Sequence, residues 1–217
     1  MVNRRSLTGV TRVAVFIFVI MLVVGFVIPS AISVITESID PGQAEGNPII
    51  INGTVYGSYY LAEAFNLSIF FQPRPSSINY NLSQSGSYGY SLDNPVVLNI
   101  TKGYISKFLQ MNPNITVSQI TDDMVSYSGS GLDPNIQVQD ALIQVPRISQ
   151  NLSVMFANDS FFVNSGNIST LLDGMIKSDE VENFPIFGSY YVNTVQLNVQ
   201  IIELLMQKGA INSSFLD

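Results

Sequence analysis

Val13-Ala14-Val15-Phe16-Ile17-Phe18-Val19-Ile20-Met21-Leu22-Val23-Val24-Gly25-Phe26-Val27-Ile28, extended through Pro29 and Ser33 to Thr36, is a stretch of twenty-four residues without a charge. At about 1.5 Å rise per residue, a helix of that length crosses a hydrocarbon core of about 30 Å with a little to spare. Arg4, Arg5 and Arg12 precede it, and Glu37 and Asp40 follow. Basic flanks stay on the cytoplasmic side, so residues 1–12 are expected inside, 13–36 in the membrane and 37–217 on the extracytoplasmic face. The alternative is a cleavable export signal, with Pro29-Ser30-Ala31 as the cleavage region and Arg4-Arg5 as a twin-arginine pair. The apolar run exceeds a usual signal core, which favours a retained anchor. Gly25, Pro29 and Ser33 fall four residues apart on one helical face, where small side chains let a second membrane helix approach closely. No ionisable residue sits within the span, and a single helix cannot line a pore. Any transport pathway would belong to another chain.

All sixteen acidic residues lie beyond position 36, against six basic ones there (Arg74, Lys102, Lys107, Arg147, Lys177 and Lys208), a net of −10. Such a domain lacks the cations whose contacts hold nucleic acid. The chain has no Cys and no His. Its outer part must be held by a core rather than by disulfides, and about 180 residues suffice for one or two cores. Zinc sites of the usual kinds, His-based triads and thiol nucleophiles are excluded. Nine Asn-x-Ser/Thr sequons begin at Asn52, Asn66, Asn81, Asn99, Asn114, Asn151, Asn158, Asn167 and Asn212. They read either as a glycan-bearing outer surface or as the by-product of an Asn- and Ser-rich composition.

Within the outer part, Pro41-Gly42-Gln43 marks a linker or tight turn. Residues 49–51 and 54–56 form two short strands about an Asn52-Gly53 turn. A short helix is expected over 57–65, and a long ordered loop, aromatic at Tyr80, Tyr88 and Tyr90, over 70–94. Asn94-Pro95 opens a helix whose Val97, Ile100, Tyr104 and Phe108 share a face, and Asn112-Pro113 stops it. A second helix is expected over 118–125, capped by Ser118, and then a turn at Ser128-Gly129-Ser130-Gly131. A helix over 137–148 would turn Val138, Ala141, Leu142 and Val145 inward and be disturbed at Pro146. An Asn-rich region, 150–189, contains a helix at 169–177; a strand at 190–192 then leads into a helix over 195–208. Few strands and several helices make an α+β domain behind one membrane helix.

Candidate chemistry is sparse. Neighbouring Asp122 and Asp123 point about 100° apart on a helix, which suits a solvated face better than a shared proton. Asp179, Glu180 and Glu182 lack EF-hand spacing and read as a solvated loop. The Gly-rich stretches 85–89 and 128–131 lack the Lys-Ser/Thr of a phosphate loop and read as turns. Arg74 and Arg147, each beside a proline, are read as buried structural ion pairs with nearby acids or as contacts to a partner.

Several pieces then occur in a telling order: Gly25…Pro29; Gln43-Ala44…Gly46-Asn47; Gly57-Ser58; Arg74-Pro75-Ser76 followed by Tyr80-Asn81 and Ser85-Gly86-Ser87; and Asp93-Asn94-Pro95. Next come residues 130–136 (Ser-Gly-Leu-Asp-Pro-Asn-Ile), with Gly131, Leu132 and Asp133; Gln144-Val145-Pro146-Arg147; and residues 192–198, with Asn193 and Asn198. Behind one N-terminal anchor, this ordered set resembles the KdpC family, the small single-span subunit of Kdp potassium-transporting P-type ATPases, over nearly the whole chain. The resemblance implies a non-catalytic accessory subunit that binds no cofactor itself. In that family a channel-like subunit passes the ion and a separate P-type subunit hydrolyses ATP, so ATP, Mg and K would be handled by those partners. It further implies a chain that holds the complex together and sits over the external mouth of the channel subunit. An older family proposal of nucleotide binding conflicts with the expected topology, which puts ATP inside and this domain outside. Region 150–189 is longer and richer in Asn than in typical bacterial members, and Gln196 stands where an acid is common; together with the sequons and acidity this suggests an archaeal-like member. Two other classes fit the bare composition: a membrane-tethered binding or adhesion module, and an exported hydrolase using two carboxylates.

Overall fold

The computed structural model describes residues 4–91, 93–183, 188–212 and 215, with side chains from residue 9 onward. Residues 1–3 of the expected inner segment, residues 184–187 of the Asn-rich region and the last two residues of the Asn212 sequon lie outside it. The chain divides into two units, 1–48 and 49–217.

The first unit is a helix in three pieces: α1 (Arg4–Leu22), a π-helical turn at Val23–Val27, and α2 (Ile28–Ile39). Its apolar part, Gly9–Ile39, spans 31 residues, long and apolar enough to cross a membrane. Pro29 causes the π turn. It has no N–H for the carbonyl of Gly25, and the helix takes up the mismatch by widening, so that Ile28 N donates to Val23 O five residues back. The helix outlasts the uncharged stretch and ends at Ile39, because Pro41 forces Asp40 out of the helical region, to φ −145° and ψ 83°. Residues 41–43, expected as a linker or turn, instead belong to a single helical turn, α3 (Pro41–Ala44), whose first turn is capped when Asp40 Oδ1 accepts from Gln43 N at 3.1 Å.

The second unit is α+β. Strands β1 (Pro48–Ile51) and β2 (Thr54–Ser58) form a hairpin around Asn52 and Gly53, both left-handed at φ 51° and 82°, the pair of angles a two-residue hairpin turn requires. Helix α4 (Pro95–Met111) starts where Asn94 Oδ1 accepts from Val96 N, and it buries Val97 and Phe108. After a 3₁₀ turn (Val117–Gln119) and the single turn α5 (Asp122–Val125) come β3 (Asn135–Gln137), α6 (Val138–Leu142) and α7 (Val145–Met155). Helix α8 (Ser165–Asp179) is capped by Asn164; β4 (Val181–Glu182), β5 (Tyr190–Asn193) and α9 (Thr194–Gln207) complete the unit. The three-stranded sheet runs β3-β5-β4, antiparallel throughout, with Ile136 opposite Val192 and Val181 opposite Tyr191. Asn193 closes β5 and opens α9, its Oδ1 accepting from Val195 N and Gln196 N. Beneath the sheet, Val195, Leu197, Ile201 and Leu205 of α9 join Ile148 and Leu152 of α7 and Leu172 and Ile176 of α8 in one core.

Three local expectations change for tertiary reasons, and two strands are new. Residues 57–65 are not a helix: β2 continues to Ser58, and Ala62 N then pairs with Leu132 O at 2.9 Å, a distant partner that outcompetes local helical bonding. The helix expected over 137–148 with a disturbance at Pro146 is broken there into two, since Pro146 cannot donate back to Leu142, and Gln137 joins β3 instead. That break leaves Leu142 exposed instead of buried. Over 118–125 two short turns replace one helix, and the first is closed from Thr116, whose N–H donates to Gln119 Oε1 at 2.8 Å, rather than from Ser118. Strands β3 and β4 had no signal of their own; three- and two-residue strands show no alternation until a partner supplies it.

Candidate partner-docking site

The most elaborate polar construction in the second unit holds loop backbone that no strand pairs with. Residues 69–71 are Ile69, Phe70 and Phe71, all buried, so their amides and carbonyls need partners away from water. Asn198, fully buried on α9, supplies two: its Oδ1 accepts from Phe71 N at 2.7 Å and its Nδ2 donates to Phe71 O at 2.9 Å. Gln144, between α6 and α7, does the same one residue on, accepting from Gln72 N at 2.8 Å and donating to Gln72 O at 3.3 Å. Arg147 completes the clamp, donating through NH1 to Ser68 O and through NH2 to Phe70 O (3.1 Å) and Gln144 Oε1 (2.8 Å). Its Nε donates to Oδ1 of buried Asn112, the residue that ends α4. Burial pulls the Arg147 guanidinium down to about 10. Of the two arginines read as buried ion pairs, Arg147 has carbonyl and amide partners instead of an acid.

Arg74 is the one that pairs. Its NH1 sits 3.0 Å from Asp123 Oδ1 and 3.2 Å from Asp133 Oδ2. Asp123 is therefore half-buried and bridged rather than on the solvated face expected for it; burial nevertheless raises its carboxyl, outweighing the pull of Arg74. Asp140, wholly buried, accepts from the Thr121 amide and hydroxyl and is raised by burial as well. Around Arg74 the long loop is pinned at several points. Tyr80 OH donates to Arg74 O at 2.8 Å, and burial pushes that phenol up to about 12. Ser76 Oγ accepts from Tyr80 N at 2.9 Å, which holds Asn79 and Tyr80 left-handed at φ 53° and 55°. Gly86 N donates to Ser130 O at 2.9 Å, and Ser77 Oγ to Gly86 O at 2.6 Å. Gly131, at φ 74°, is where the two loops meet: a Cβ there would lie 2.7 Å from the Ile78 side chain and 3.0 Å from Gly86 O. Asp133 Oδ1 accepts from Asn135 N, and Leu132, buried, closes the turn beneath.

The singled-out residues thus separate by place. Gln144, Arg147 and Asn198 are interior clamps, Asn193 is a helix cap, and Pro146 stands exposed in the first turn of α7. Arg74, Pro75, Ser76, Tyr80, Gly131, Leu132 and Asp133 build one hydrogen-bonded loop pair, on which Asn81 stands exposed. That pair presents Leu82, Tyr88 and Tyr90 to solvent, with the Tyr88 ring edge-on to Tyr127 at 5.0 Å. In the first unit, Gly25, Pro29 and Ser33 are exposed. A Cβ at Gly25 would meet nothing within 4 Å, and Ser33 Oγ is satisfied by Pro29 O at 3.0 Å, so no dangling hydroxyl roughens that face. Sequence reasoning missed Asn112 and Gln72, whose roles arise only once segments dozens of residues apart are brought together. Among the described residues no group of three acidic, His or Cys side chains is placed to hold a metal ion.

Comparison with known proteins agrees with this pattern. The family model described as KdpC, K+-transporting ATPase, c chain, matches residues 10–203. Potassium-transporting ATPase KdpC subunits of Thermoplasma volcanium and Thermoplasma acidophilum are 54% and 49% identical, over 93% and 94% of this chain and 94% and 97% of their own lengths. That of Caldanaerobacter subterraneus is 31% identical over 89% of this chain and 94% of its own.

Proposed function

The chain belongs to the KdpC family, the c chain of K+-transporting ATPases, and from that premise we propose that it is a non-catalytic accessory subunit that stabilises the complex and covers the outer entrance of its channel-like subunit. The anchor spans the membrane once with the N-terminus inside, and packs its Gly25/Pro29/Ser33 face against a helix of that subunit. The outer domain docks on the same partner through the loop pair around Arg74 and Gly131. It binds no cofactor; ATP and Mg belong to the P-type catalytic subunit, and K to the translocating one.

One observation carries this reading. The conspicuous polar residues, which an enzyme would turn toward a substrate, face inward and hold backbone: Asn198 holds Phe71, Gln144 holds Gln72 and Arg147 holds Ser68 and Phe70. What they hold leads directly into the loop that carries Arg74 and the outward tyrosines. A rigid loop on a clamped base is suited to contact, since its ordering is complete before a partner arrives. The outer part's net charge of −10 raises the local cation concentration, within a screening length of about 8 Å at physiological salt.

The test is to purify the complex after replacing Gly25 and Ser33 together by leucine. The proposal expects loss of the small subunit from the purified complex and a fall in potassium-stimulated ATPase activity. Full subunit recovery with full activity rejects the docking face.

A further inference from the structure

Arg147 also forms part of the wall of a cavity of about 400 Å³, lined by the end of α4, the loop after it and the first turns of α7. Arg147 is 7% exposed, and among the described residues none of its partners is a carboxylate and both ion pairs belong to Arg74. Among the described residues its four hydrogen bonds occupy Nε–H, both NH2 hydrogens and one of the two on NH1, which leaves one NH1 hydrogen. The surroundings add to the positive potential. Arg147 stands in the first turn of α7, at the positive end of that helix's dipole, and the turn contains no acid. None of the thirteen cavity-lining residues is acidic, although sixteen of the chain's residues are. At the rim, exposed Gln110, Asn114 and Gln150 carry amide donors. Buried charge without a counter-ion is costly, and the carbonyl dipoles that surround this one do not neutralise it.

We propose that this cavity binds a single small oxyanion, phosphate or carboxylate, with Arg147 supplying the charge and the rim amides supplying further donors. An anion there would complete the neutralisation that the fold begins, and would tie the end of α4 to the start of α7.

Full-length protein in detergent is melted in increasing inorganic phosphate, and separately in succinate, with chloride at matched ionic strength as reference. Exposed Gln150→Glu is the companion variant, because it brings a carboxylate to the rim permanently. The wild type should show a saturable rise in Tm, roughly 3–6 °C at ten times the dissociation constant, and the more effective of the two anions identifies the ligand class. Gln150→Glu should melt above the wild type in chloride and lose the response, even though an added acid normally destabilises so acidic a domain. Equal anion responses in the two proteins, no response beyond that of chloride, or a lower Tm for Gln150→Glu in chloride overturns the proposal.

Discussion

Replacing Asn198 by alanine removes both halves of the pairing that holds Phe71 and leaves nothing polar in their place. Asn198 and Phe71 are both fully buried, at 2.7 and 2.9 Å for the two bonds, so water cannot substitute without opening the core. An orphaned N–H and an orphaned C=O cost about 1–3 kcal/mol each, and partial relaxation brings the sum to about 3 kcal/mol. For a domain of this size that is a fall in Tm of about 6–12 °C. Urea and thermal unfolding of the full-length protein in detergent measure it, with Lys177→Ala on the exposed face of α8 as control. Amide hydrogen exchange at Phe71 should accelerate in the variant beyond the global change. If Asn198→Ala lies within about 1 kcal/mol of the control, the side chain is not what holds the 69–72 segment, and the clamp is not the base of the loop.

Gly131→Ala should destabilise by about 1–3 kcal/mol, since it forces a side chain into a left-handed residue against Ile78 and Gly86 O; Gly86→Ala, where the new carbon would meet only Ile78 at 3.5 Å, is the mild comparison, and equal effects would contradict the packing. Burial raises the carboxyls of both Asp140 and Glu63 above their ordinary 3.8 and 4.5. The folded chain therefore holds these protons more tightly than the unfolded chain; the stability they contribute is full below the ordinary values and is lost as pH rises through the raised ones. Relative to an Asp140→Asn/Glu63→Gln variant, the wild type should gain unfolding free energy as pH falls from 7 to 4, and parallel profiles would refute the assignment.

Much of the fold was legible because it is written in local chemistry. The Asn52-Gly53 turn, the Asn94 cap with Pro95 behind it and the apolar spacing from Val97 to Phe108 in α4 each act within a few residues, and each appears where the sequence places it. What stayed hidden depends on distance. Asn198 reaches 127 residues to Phe71, Arg147 reaches 79 to Ser68, and Ala62 pairs with Leu132; no window of sequence contains both partners. The same distance explains the misplaced helix over 57–65, where local propensity lost to a remote carbonyl. Arg74 and Arg147 show the limit at the candidate site. Both sit beside proline, yet one meets two carboxylates and the other none, and only the folded surroundings distinguish them.

The proposed function requires the acidic domain to stand on the outer side of the membrane, beside the channel mouth and away from ATP. Because the chain has no cysteine, a single Asp173→Cys on the exposed face of α8 gives this chain one label site, read on the isolated subunit band. A membrane-impermeant maleimide added to intact cells that express the whole complex should modify it fully. Modification only after lysis would put the domain inside and contradict the account.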